Sequence, residues 1–555
     1  MKKRMFLIFM LLGSILSLQA EDIVLKTLKN EASRNLEILK KQTIPVYFIA
    51  YRVTDLETLS FSASFGSFSG KKTPWHSRYL QVQTRVGDYE SDNSHEIKNA
   101  GFTNESGTET ISYEDGAASL PDDLWRKTDA IYKDAVQKYE QIKANNYVST
   151  QSEDKSPDFT LEKAENYYEK PIHLKGYKLH TNQLEETLIR LSKLMDANKD
   201  INKGSVAFTG EVQRRWFTNT EGTSFAENSI SFRIQISMTA IAEDGMELPL
   251  FKSYFATTPE DLPSESEMKQ QIVQMSQLLS ELRNAPIADP YSGPCILSAE
   301  AAGVFFHEFF GHRIEGARMK QDGDAQTFKN KIGEMVLSKN ISVIFDPTLR
   351  KFQGEDLSGS YVMDDEGVRG QRVEVVKDGI LRTFLMSRTP LEGFPKSNGH
   401  GRAAFYLNPV TRQSNMLVTS NQPLSNDSMT YRLKQELIKG GKEYGYLFQS
   451  VSGGFTNTSR ISPNAFNVSP LVVYRIYSDN RPAQLVRGVN MIGTPLSVFS
   501  QILECGKDYH IFNGYCGAES GSIPVSCIAP TILVRQVETQ KKMKSGVIPP
   551  ILERP

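Results

Sequence analysis

The sequence predicts an α+β protein, with helix–sheet character in its N-terminal half and a strand-rich C-terminal half. Four stretches before residue 290 carry apolar residues at three- and four-residue spacing, the period of an amphipathic helix. Between them, apolar and polar residues alternate and turn at Gly, Asn and Ser, as antiparallel strands do. After residue 290, short strands and Gly-rich turns predominate, with one helix near 425–440.

The chain opens with Lys2, Lys3 and Arg4, an apolar stretch from Met5 to Leu18, and Gln19-Ala20 before Glu21-Asp22. That order is expected of an export signal at residues 1–20, with a periplasmic or extracellular mature chain. The apolar stretch is short for a membrane anchor, and no later run is long enough to cross a bilayer. Leu25, Leu28, Ala32, Leu36 and Leu39 then predict a helix that Pro45 ends, and Val46 to Val53 a strand. Residues 57–120 read as a small antiparallel sheet. A helix follows from Asp122 to Lys143, striped by Leu124, Ile131, Ala135, Tyr139 and Ile142. Ser149 to Pro157 is polar and reads as an exposed linker between an N-terminal helix–sheet domain, 21–150, and a central one, 158–289.

The central region predicts a helix from Asn182 to Met195 and a meander from Gly204 to Thr258. A further helix from Ser264 to Asn284 is opened by a Ser264/Glu267 capping box and closed by Pro286. A C-terminal domain is expected over 290–545. At 555 residues the chain is too long for one ordinary domain. Its 39% hydrophobic content excludes a disordered class, and four Cys exclude a disulfide scaffold. The 64 basic and 65 acidic residues leave a net charge of −1 and no basic field to attract nucleic acid.

One segment carries chemistry. Ser298 is placed to cap a helix containing His307-Glu308-Phe309-Phe310-Gly311-His312, an H-E-x-x-x-H pattern one residue wider than H-E-x-x-H. Residues five apart on a regular α-helix differ by about 140° and cannot share an ion. Two imidazoles therefore converge only if the helix widens locally or ends near Gly311, where glycine accepts the distortion. The apolar wall of Phe305, Phe306, Phe309 and Phe310 makes a buried Glu308 costly unless it has a task there. The chain holds only 8 His, and His76, His95, His173, His180 and His510 read as isolated.

HEFFGHRIEGAR resembles the motif of the TldD/PmbA metallopeptidases, a family also described as modulators of DNA gyrase. Downstream, Asp364-Asp365-Glu366-Gly367 is similar to the family's DDEG stretch, and Ser397-Asn398-Gly399-His400-Gly401-Arg402 to its GNGR segment. Asn513-Gly514-Tyr515-Cys516-Gly517, then Ser522-Ile523-Pro524-Val525 and Ala529-Pro530-Thr531, is similar to its closing pattern. The resemblance spans residues 290 to 540. It departs in Ala518, where the family has Lys, and in the export signal, since members are often cytosolic.

The resemblance implies a zinc metallopeptidase acting on peptides or unfolded segments, with His307, His312 and Cys516 as Zn²⁺ ligands and Glu308 as general base. It implies a strongly curved antiparallel sheet around the site, and a homodimer or a heterodimer with a paralogue. A non-catalytic partner subunit is the alternative, though such subunits are expected to lack the H-E-x-x-x-H and Cys pattern. Cys516 is expected on a Gly-flanked bend and Cys295 in core packing. A disulfide among Cys295, Cys505 and Cys527 stays open. The segments near 364 and 400 read equally well as cleft lining or as exposed turns.

Overall fold

The computed structural model describes residues 22–70, 73–95, 107–146, 154–320, 326–456, 466–493, 499, 501–542 and 552. The expected signal peptide and residues 149–153 of the expected linker lie outside them.

Helices α1 (Ile23–Leu39), α2 (Leu120–Asn146), α3 (Thr181–Lys193) and α4 (Glu265–Asn284) form where the apolar stripes predict them. Asp22 caps α1 by accepting from Leu25 N at 3.0 Å, and Ser264 with Glu267 closes a full capping box on α4. They cover one sheet of eight strands: β1 (Val46–Ser64), β2 (Ser67–Gly70), β3 (Trp75–Val86), β4 (Glu109–Ile111), β5 (Asn166–Tyr168), β6 (Ile201–Asn219), β7 (Ser224–Ile241) and β8 (Glu247–Ala256). Strands from both sides of residue 150 pair within it, β1 running antiparallel to β6 from Ala50↔Asn219 to Ala63↔Val206. The regions 21–150 and 158–289 thus share a sheet.

Side chains alternate across a strand, and β1 uses both faces. Ile49, Tyr51 and Val53 pack with α1 and α2, while Leu59, Phe61 and Ala63 on the same face pack in the cluster of α3 and α4. The opposite face turns to the C-terminal half: Phe48 and Ala50 cluster with Met363, and Arg52 Nη2 donates to the carbonyls of Ala404 and Leu407 at 3.1 and 2.8 Å.

The C-terminal half comprises β9 (Tyr291–Leu297), β10 (Ile341–Phe345), β11 (Lys351–Phe352), β12 (Glu355–Asp356), β13 (Val373–Lys377), β14 (Ile380–Leu381), β15 (Gly401–Arg402), β16 (Val410–Thr411) and β17 (Asn415–Ser420). These are followed by β18 (Tyr444–Thr456), β19 (Phe466–Tyr477), β20 (Gln484–Val486), β21 (Val489–Gly493), β22 (Ile502–Ala518) and β23 (Gly521–Lys541). Eleven of these strands form one sheet. Because β9 pairs with both β18 and β23, the path β23-β21-β19-β18-β9 returns on itself, and a sheet can close this way only by bending strongly.

The sheet is mixed where an antiparallel one was expected. β9 runs parallel to β18 and β17 parallel to β23, since long connections separate the strands of each pair. Helices α5 (Ala299–Phe309), α6 (Gly316–Lys320) and α7 (Asn426–Lys439) lie in this half, the last within the expected 425–440. α5 lies in the core of the sheet, with Phe305, Phe306, Phe309 and Phe310 gathered around Phe499.

The acidic run at 364–366 is not an exposed turn. Asp365 accepts from Arg215 Nη1 at 2.5 Å and pairs with Arg52 at 3.1 Å, joining the two halves. Asp364 accepts from Gly401 N at 2.9 Å and Glu366 from Arg388 N at 2.6 Å, while His400 is fully buried against Ser414. These residues brace the junction between the two sheets.

Candidate metal centre

Helix α5 starts at Ser298, whose Oγ accepts from Ala301 N at 3.2 Å and donates to the Gln449 carbonyl at 2.6 Å. It stops at Phe309, and a 3₁₀ turn, Gly311–Arg313, follows. Of the two routes to convergence open in the sequence, the chain takes the helix end. Arg313 Nη1 donates to the carbonyls of Glu308 and Phe309 at 2.9 and 3.1 Å, satisfying backbone acceptors that a helix C-terminus leaves unpaired. Gly311 is needed here for space: a Cβ would fall 2.0 Å from Oε1 of the buried Gln413.

The turn brings the rings of His307 and His312 to 5.0 Å between centroids. Cys516 reaches them from β22, where it pairs with Ile523 on β23. The Gly-flanked stretch is therefore a strand near its end, not a bend, because Asn513 to Ala518 pair continuously with β23. Cys516 Sγ lies 3.3 Å from His312 Nε2, and one donor atom each from His307, His312 and Cys516 falls within 4.8 Å of the others. All three side chains are buried.

A cavity of about 490 Å³ opens onto them, lined also by Glu308, Arg318, Tyr515 and Glu519. Glu308 reaches it past β18. A Cβ on Gly454 would stand 2.3 Å from Glu308 Cγ, so only glycine leaves room for that side chain.

Electrostatics bind the set together. Burial pushes the Cys516 thiol up, but the imidazoles of His312 and His307 overcome this and hold it well below the usual thiol range. Burial likewise opposes charge on His307 and His312. The sulfurs of Cys516 and Cys527 nevertheless raise His307 well above an ordinary histidine, and Cys516 with Glu315 raises His312 to about 9. A thiolate between two imidazoles is a donor set that a divalent cation takes by displacing protons, and two nitrogens with one sulfur fit a tetrahedral zinc that keeps one open position.

The surrounding residues had little signal in the sequence. Glu315, fully buried, meets His312 Nδ1 at 3.3 Å and Arg318 Nε at 2.8 Å, and Arg318 Nη2 extends to Glu519 at 2.8 Å. Arg412 Nη2 donates to the Cys516 carbonyl at 2.6 Å, and Gln413 Nε2 to that of His307 at 3.4 Å. Glu315 stands three residues after His312, a spacing that could have marked it; Arg412 and Gln413 had none.

Cys295, Cys505 and Cys527 are buried in the C-terminal core, and none of the four cysteines is disulfide-bonded. Four of the histidines read as isolated have carboxylate partners: His76 with Asp55 at 2.6 Å, His95 with Asp158 at 2.8 Å, His173 with Glu57 at 2.6 Å and His510 with Glu300 at 3.9 Å. Asp55, Glu57 and His76 also converge, but Asp55 already pairs with Arg78, and Glu57 accepts from Leu174 N at 2.9 Å and meets His173.

Residues 290–541 match the family described as the PmbA/TldA metallopeptidase C-terminal domain. A metalloprotease of Methanocaldococcus jannaschii is 28% identical over 383 residues, covering 65% of this chain and 78% of that protein. A zinc metalloprotease TldD homologue of Saccharolobus solfataricus is 25% identical over 354 residues, covering 62% and 73%. In fold, the crystal structure of TldE from Thermococcus kodakarensis superposes with a TM-score of 0.62 at 14% identity, over 92% of this chain and 99% of that one.

Proposed function

We propose, from the match of residues 290–541 to the PmbA/TldA metallopeptidase C-terminal domain, that the chain is an exported zinc-dependent metallopeptidase that hydrolyses peptide bonds in peptides or unfolded segments. The observation that carries this reading is the convergence of His307, His312 and Cys516 within 4.8 Å beside the cavity that Glu308 lines. Those three residues hold the ion. Bound zinc supplies a Lewis acid that polarises a carbonyl and makes water more acidic. Glu308 takes a proton at its carboxylate and returns it to the leaving amine, while Gly454 leaves the space its side chain occupies.

Export rests on residues 1–20. A mature protein beginning near Glu21 and recovered outside the cytoplasm is the expected result, and an intact Met1 terminus on cytoplasmic protein would refute it. The family resemblance supports assembly as a homodimer or with a paralogue, while the near-neutral charge argues against a nucleic-acid partner.

The test is metal analysis of the purified protein beside a peptide-degradation assay. One zinc per chain with cleavage that a chelator stops is the expected outcome. The family resemblance leaves a second reading, the non-catalytic partner of a heterodimer, against which the intact set of His307, His312 and Cys516 weighs. Absence of both bound zinc and cleavage would select it, whereas stoichiometric zinc with no cleavage of any unfolded peptide would favour a structural metal site.

A further inference from the structure

Each imidazole of the metal centre is met on its far side by another residue. For His312 that residue is the Glu315 carboxylate. For His307 it is a sulfur: Cys527 Sγ lies 3.5 Å from His307 Nδ1. Cys527 sits on β23 opposite Phe512 of β22, buried in the core. Gly303, one helical turn before His307, brings α5 close to the same strand, since a Cβ there would touch the Cys527 carbonyl at 3.4 Å. The sulfur is thereby pressed against the ring. It does not belong to the trio of converging donors, which is His307, His312 and Cys516.

We propose that Cys527 is a positioning residue for His307: its sulfur accepts a hydrogen bond from Nδ1–H and so leaves Nε2 for the metal. The inference rests on the metal-site reading above. An imidazole that binds a metal through one nitrogen carries its hydrogen on the other, and a buried N–H without an acceptor is costly. The acceptor fixes the tautomer and the ring angle together. Thiol sulfur accepts weakly, so this brace is softer than a carboxylate and sets how tightly the metal is held.

The test compares wild type, Cys527→Ala and Cys527→Ser by zinc affinity, in competition with a chromophoric chelator, and by the absorption spectrum of the Co²⁺-loaded proteins. The alanine variant is expected to bind zinc about 10- to 100-fold more weakly. The serine variant should recover most of that loss, because its hydroxyl accepts the same hydrogen bond. The thiolate-to-cobalt band should keep its intensity in both, since Cys516 alone supplies sulfur. Unchanged affinity in the alanine variant overturns the proposal, as does a serine variant no better than alanine, which would reduce Cys527 to packing. Loss of roughly half the thiolate band in the serine variant would instead make Cys527 a ligand. A wild-type protein that binds no zinc would refute the metal site itself, a result distinct from variants that bind as wild type does.

Discussion

Replacing Glu315 by Gln tests whether a buried carboxylate holds the metal-centre turn in place. The side chain has no exposed surface; it meets Arg318 Nε at 2.8 Å and His312 Nδ1 at 3.3 Å, and lies 3.9 Å from Arg412 Nε. Burial alone would raise its pKa, yet His312, Arg318 and Arg412 together lower it from 4.5 to about 2. At about 1.4 kcal/mol per pH unit, that depression contributes about 3 kcal/mol at neutral pH. Taking the Glu315 carboxylate away from Arg318 and Arg412 is of similar cost, about 3–5 kcal/mol for a broken buried pair. The folded-state pKa is the lower one, so the stabilisation is fully present above pH 4.5 and is lost as the pH falls through about 2. By pH 3, about 2 kcal/mol of it should be gone. Urea unfolding of metal-free wild type and Glu315→Gln at pH 7 and pH 3 reads this directly. The variant should be about 3 kcal/mol less stable at pH 7, and the gap should close to about 1 kcal/mol at pH 3. A gap that stays the same size at both pH values would refute the electrostatic account.

Three further outcomes follow from the same geometry. Glu308→Gln should keep one zinc per chain while turnover falls by about 10²–10⁴-fold, because an amide cannot take the proton; loss of zinc would make Glu308 a ligand. Cys516→Ala should lose most bound zinc by elemental analysis, whereas Cys295→Ala and Cys505→Ala, whose sulfurs lie in the core away from the histidines, should retain it. Gly454→Val places a side chain where Glu308 Cγ lies, so peptide cleavage should drop about 10²-fold with zinc content unchanged. Normal turnover in that variant would show that Glu308 can act from another position.

Local structure was written in the sequence because it depends on neighbours a few residues apart. The apolar stripes marked α1 to α4, and Ser264 with Glu267 marked a cap that both hydrogen bonds complete. The five-residue step from His307 to His312 required the helix to widen or to end near Gly311, and the chain ends α5 at Phe309. Nothing local could say which strand meets that turn. Cys516 comes from 204 residues downstream of His312, delivered by the β22–β23 pairing, and the tertiary structure alone sets that register. The same holds for the single sheet that strands on either side of residue 150 build, since β1 and β6 were free in sequence terms to pair elsewhere. Asp364 to Glu366 read equally well as cleft lining or as an exposed turn, because nothing nearby in sequence names their partners. Arg215, Arg52 and the backbone at Gly401 and Arg388 make burial affordable, and those partners lie up to about three hundred residues away. Periodicity and spacing encode what a backbone does over one or two turns. Which buried charge, sulfur or ring ends up beside which is decided only when the faces of distant elements pack, because each unpaired group must then find its complement.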